Sequence, residues 1–155
     1  MYLLGDFGVT ADRVIAAEPE EIRIGDWGPQ GYFHYAGSLT YHYTFEWDDR
    51  GNAELVLEEF KAVTIHVRVN GKNAGDMPWH CTEGLDISQY LREGQNTLEI
   101  EVVGSQRNVF GLFHQTGVQN VWTDWTFFSR DGSREDPEYV TWPYGLFKRP
   151  YIRIK

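Results

Sequence analysis

Hydrophobic and polar residues alternate with period two along much of this chain, and that period is the signature of a strand with one face buried. Val63, Ile65, Val67 and Val69 alternate with Thr64, His66 and Arg68. Asn70-Gly71 follows directly, and both residues tolerate the positive φ that a two-residue hairpin turn demands, so the chain is expected to reverse there. Leu39, Tyr41, Tyr43 and Phe45 alternate with Thr40, His42, Thr44 and Glu46, which predicts a long strand with an aromatic inner face. Asp48 to Asn52 reads as a turn into a further strand with Ala53, Leu55 and Leu57 inward, and a hairpin is the simplest joining of the two. Leu98-Glu99-Ile100-Glu101-Val102 repeats the alternation after Gly94-Gln95-Asn96.

Between and beyond these runs the period fails. Tyr2-Leu3-Leu4, Val14-Ile15, Ile22-Arg23-Ile24, Tyr139-Val140, Gly145-Leu146-Phe147 and Tyr151 to Ile154 are short extended candidates. Gly25 to Phe33 is a loop broken by Gly and Pro, and Gly75 to Cys81 an exposed corner. Leu85 to Leu91 suits one helical turn or a short extended piece, and Gly104 to Trp125 a long loop of the kind that is functional or heavily packed. Many short strands with almost no amphipathic helix predict an all-β fold, an antiparallel β-sandwich of the jelly-roll kind.

Composition narrows the range of functions. A chain of 155 residues with 41% hydrophobic side chains suits a single domain over 1–155, one that buries roughly 70% of its unfolded surface. Six Trp, nine Tyr and nine Phe exceed what a core of this size needs, so some rings are expected on the surface. Fourteen basic against twenty-three acidic residues give a net charge of -9, which argues against nucleic acid and anionic lipid as partners. Cys81 is the one cysteine, which excludes an internal disulfide. No apolar run approaches the ~20 residues of a membrane helix, and the first residues lack the basic and long apolar regions of a signal peptide. The parent of an excised domain could still be periplasmic or extracellular.

Three stretches then carry a family resemblance. Tyr35-Ala36-Gly37-Ser38-Leu39-Thr40-Tyr41, Val67-Arg68-Val69-Asn70-Gly71-Lys72-Asn73-Ala74-Gly75, and Leu85-Asp86-Ile87 followed by Gly94-Gln95-Asn96-Thr97-Leu98-Glu99-Ile100 resemble the sugar-binding domain of glycoside hydrolase family 2. Arg107 to His114 and Trp142-Pro143-Tyr144-Gly145-Leu146 resemble terminal accessory domains of some large bacterial glycosidases. The resemblance implies a galactose-binding-like jelly roll whose partners are carbohydrate, as polysaccharide or oligosaccharide, and a catalytic glycosidase domain in the same chain. In that family the catalytic carboxylates belong to a separate barrel of about 250 residues, which this chain cannot contain.

The residues themselves argue for binding over catalysis. Glu20-Glu21, Asp48-Asp49 and Glu58-Glu59 sit at strand ends and turns, where solvated charge is the expectation, not the paired carboxyls of glycoside hydrolysis. His80 and Cys81 are sequence neighbours, which in extended chain face opposite ways. The five His have no zinc spacing, and no cofactor is required. Jelly rolls of this kind often hold a structural calcium, but no residues are singled out for it. A sugar ring presents an apolar C–H face and a belt of hydroxyls, so it needs a flat aromatic ring flanked by polar groups. Trp27, Tyr32, Trp79, His80, Arg107, Asn108, Trp122 and Trp125 meet that description in loops and form the expected carbohydrate site. The alternatives stay open at this point. The Trp side chains can plug the sandwich ends, Arg107 and Asn108 can fix the loop through backbone hydrogen bonds, and the domain can be a brace that binds no sugar.

Overall fold

β-Branched and aromatic residues at alternate positions build the sheets of this protein, whose computed structural model describes residues 3, 5–48, 51–81, 83–111, 114 and 137–155. The strands are β1 (Gly8–Val9), β2 (Ile15–Ala16), β3 (Ser38–Trp47), β4 (Ala53–Val56), β5 (Phe60–Lys61), β6 (Thr64–Val69), β7 (Lys72–Pro78), β8 (Leu85–Asp86), β9 (Gly94–Val103), β10 (Gly145–Leu146) and β11 (Tyr151–Ile154). Single 3-10 turns lie at Gly28–Gln30 and Ser88–Tyr90, and a four-residue helix, α1, at Arg107–Phe110. Among the described residues no helix is long and apolar enough to cross a membrane.

Two antiparallel sheets face each other, as the alternation predicts for a β-sandwich. One has the order β3-β9-β6-β7, and the other β11-β4-β8, continued by the β10-β5 pair. Their inner faces meet in one core, with Tyr41, Ile65, Val67, Val69, Leu98, Ile100 and Val102 from the first sheet against Ala53, Leu55 and Leu146 from the second. The register slips by one residue between the β11–β4 and β10–β5 ladders. Pro150, which has no N–H to donate, lies in that break.

The Asn70-Gly71 turn forms as expected, with φ of 50° and 75°, and joins β6 to β7. The expected hairpin across Asp48–Asn52 does not form. β3 pairs along its whole length with β9, from Ser38 opposite Val103 to Trp47 opposite Gly94, while β4 crosses to the middle of the other sheet. Alternation states which face of a strand is apolar but not which strand will cover it, and β4 is buried at Ala53, Leu55 and Val56, as a central strand must be. The expected corner also shrinks, because β7 runs on to Pro78 so that Met77 can bury beside Ile65. The irregular piece is 79–81. Ile22 to Ile24 is no strand, although both isoleucines pack on the core, and Tyr139-Val140 is likewise irregular.

Candidate functional site

Strand register decides which loops can share a site. Ser38 and Thr64 both lie opposite Val103, and Pro78 lies opposite Thr64. The segments before β3 and β6 and after β7 and β9 therefore emerge at one end of the first sheet. Trp27, Tyr32, Trp79, His80, Arg107 and Asn108 all belong to these segments, so the fold gathers them at one end. β7 is nevertheless the third strand from β3, which separates Trp79 from the β3 side by about 14 Å at the usual strand spacing.

Their roles differ. Trp79 is 63% exposed, and its ring leans on that of the exposed His80 with centroids 4.6 Å apart. This is a platform open to solvent. Trp27 is not, and its expected place as a ligand-facing ring is corrected. It is 2% exposed, lies between Tyr35 and Tyr144, and its indole N–H donates to the Tyr41 hydroxyl at 3.2 Å. The indole is part of the hydrophobic core. Asn108 is also buried. Its amide donates to the Trp142 carbonyl at 2.7 Å and accepts from the Trp142 N–H at 2.8 Å, pairing as a backbone unit would. The Arg107 guanidinium lies 5.9 Å from the Trp142 ring, and burial pulls its pKa below the usual arginine value. Tyr32 is half-buried and donates to Glu18 at 3.2 Å. Burial and then the Glu18 charge push its hydroxyl pKa up. Trp122 and Trp125 lie outside the described residues.

Trp142, 40% exposed, and Phe110, 61% exposed, both absent from the expected set, also offer rings to solvent at this end. Pro143, which adjoins Trp142 and holds the chain extended, was the available signal. Gly145 (φ +134°) is obligatory, because a Cβ there would collide with the Gly25 carbonyl oxygen and sit 2.9 Å from the Trp27 indole nitrogen.

A second concavity runs along the side of the sandwich. It encloses about 1430 Å³ and is bounded by Glu20–Ile24, by Leu39–Tyr43 of β3 and by Phe147–Tyr151, with Tyr32 and Glu58 at its rim. Within it Lys148 is tied to Glu58 at 3.0 Å. Tyr43 is half-buried, and its hydroxyl is pushed up by burial and by Tyr41 against the opposing pull of the Arg149 charge. Sequence reasoning missed this cleft apart from Tyr32, since its walls are far apart in the chain. Among the described residues no group of three or more His, Cys, Asp or Glu side chains gathers as a metal site. The Cys81 thiol is partly buried and reaches the Glu83 carbonyl at 3.4 Å.

No protein-family model matches the chain. Over 97 residues, 61% of its length, it is 28% identical to a Formosa agariphila protein named "Putative beta-glucuronidase", of which the match spans 9%. The solved rhamnosidase of Novosphingobium sp. PP1Y superposes on 96% of the chain with a TM-score of 0.57 and 26% identity, over 14% of that protein. A Ruminococcus gnavus beta-glucuronidase shares the fold over 77% of the chain at 15% identity and a TM-score of 0.50, over 19% of its own length. The chain thus has the fold of a small part of large glycosidases and resembles the accessory β-sandwich domains of such enzymes.

Proposed function

We propose that the chain is a non-catalytic, galactose-binding-like domain that recognises carbohydrate and holds an attached glycoside hydrolase on a polysaccharide or its chain ends. The observation that carries this reading is the superposition of nearly the whole chain on a minor part of a rhamnosidase. An exposed indole in tilted contact with an imidazole at the loop-bearing end adds to it. The Trp79 ring would cover the C–H face of a sugar while His80 meets its hydroxyls. Catalysis would need a carboxyl kept protonated in apolar surroundings. Glu20 and Glu21 are exposed, and Glu58 is ion-paired. Binding of this kind is weak, about millimolar to micromolar, and acts by raising local substrate concentration. Calorimetry or affinity electrophoresis across a broad glycan panel tests it. Binding by the wild-type chain that Trp79→Ala weakens is the expected result, and EDTA leaves the affinity unchanged. Silence across the panel overturns it.

One observation favours a second reading, a brace against the catalytic domain. Val63, one residue beyond the β6–β7 ladder beside Trp79, is also exposed, so the two make an apolar patch. On that reading Trp79→Ala weakens domain association and no glycan binds.

A further inference from the structure

Consecutive residues of a strand point to opposite faces, so a depression lying over one face touches every second residue. Leu39, Thr40, Tyr41, His42 and Tyr43 all line the lateral cleft, which therefore runs along the outer edge of β3 and not over its face. β3 is the outermost strand of one sheet and β11 of the other. The sandwich thus opens on this side. Residues 20–24 close its floor, since Ile22 and Ile24 pack into the core.

We propose that this cleft is a second carbohydrate site, one that takes an extended, uncharged oligosaccharide; the inference rests on the carbohydrate reading above. Size is the first support. At 1430 Å³ the cleft exceeds the roughly 300–1,000 Å³ that houses a single small molecule, which suits a chain of several sugar units. Charge is the second. Glu20, Glu21 and Glu58 are balanced by Arg23, Lys148 and Arg149 in a protein of net charge -9, so the cleft stands apart from the acidic surface around it. It favours neither a polyanion nor a polycation. Sugar hydroxyls donate and accept alike, so they can use both signs of side chain. The third support is aromatic. Tyr151, 43% exposed, and the half-buried Tyr43 and Tyr32 supply ring surface for the C–H faces of successive sugars.

The test is calorimetric titration of the full chain with neutral cello-, xylo- and manno-oligosaccharides of increasing length, with oligogalacturonate alongside. Affinity for at least one neutral series is expected to rise with length, and Tyr151→Ala and Arg149→Gln each to weaken it about tenfold without lowering Tm. Trp79→Ala is expected to leave this length dependence in place. Arg149 is exposed and forms no ion pair among the described residues, so its variant remains informative if Tyr151→Ala fails to fold. Glycan binding that depends on Trp79 and ignores Tyr151 and Arg149 overturns the cleft site while the carbohydrate reading stands. No binding of any glycan overturns both. Preference for oligogalacturonate overturns the uncharged ligand, and NMR shifts of the β3 amides with unstructured peptide but not with sugar overturn the ligand class.

Discussion

The two ends of the sandwich are built from different materials. At the end that holds the Asn70-Gly71 turn, two amides do the work. Fully buried Asn96 donates to the carbonyls of Arg92 and Gly94 and accepts from the Arg92 N–H and from Asn70, at 2.7–3.0 Å. Asn70 in turn donates to the Tyr90 carbonyl and accepts from the Thr97 N–H. Every donor and acceptor of the Asn96 amide is thereby satisfied, which a buried amide requires. The residues that carry the family resemblance here are architectural. The opposite end is closed by rings, Trp27 against Tyr35 and Tyr144, and by long-range bonds such as the Tyr144 N–H to Asp26 and the Leu146 N–H to the Tyr41 hydroxyl. Its outer layer, with Trp79 and Trp142, faces solvent. The amide end specifies the fold, and the aromatic end leaves surface over for recognition.

The comparison can be broken most sharply at its polar centre. Asn96→Ala takes one partner from the Asn70 amide and the side-chain partner from three backbone groups, and about 2–4 kcal/mol of stability is expected to go, measured by urea unfolding; a loss below about 1 kcal/mol would remove the contrast. Gly145→Ala strikes the aromatic end, where a new Cβ meets Trp27 in a backbone conformation that side chains resist, and about 2–3 kcal/mol is expected to be lost in the same assay. A smaller effect belongs to Glu54, on β4 on the amide side. Hydrogen bonds from Lys155 and then Arg153 hold its pKa below the ordinary carboxylate value. A depressed carboxylate stabilises the fold above its unfolded pKa of about 4 and ceases to do so as the pH falls through the lower folded value. Wild type should therefore melt above Glu54→Gln at pH 7, and the two curves should converge in acid. Trp79→Ala is expected to change stability least, by under about 0.5 kcal/mol, because its ring is solvated in the isolated chain.

Much of this was legible in the chain. Period-two alternation predicted β3, β6 and β9, and the two-residue turn was read from Asn70-Gly71. Both are local properties, settled by the direction of successive Cβ atoms and by the φ values a residue tolerates. The candidate site was legible only in part. Register brought six of the expected residues to one end, yet of their large rings it left only Trp79 fully open and put Trp27 in the core. What covers a ring depends on partners far along the chain. Asp26 and Tyr144 are 118 residues apart, and Tyr41 and Leu146 are 105 apart. The lateral cleft is the extreme case, since its walls come from residues 20–24, 39–43 and 147–151. The sequence by itself determined which stretches are strands and which way their apolar faces turn. Tertiary structure decided that β3 pairs with β9 and not β4, that Trp27 is core, and that one side stands open, because sheet partnership is a competition among distant faces that alternate alike.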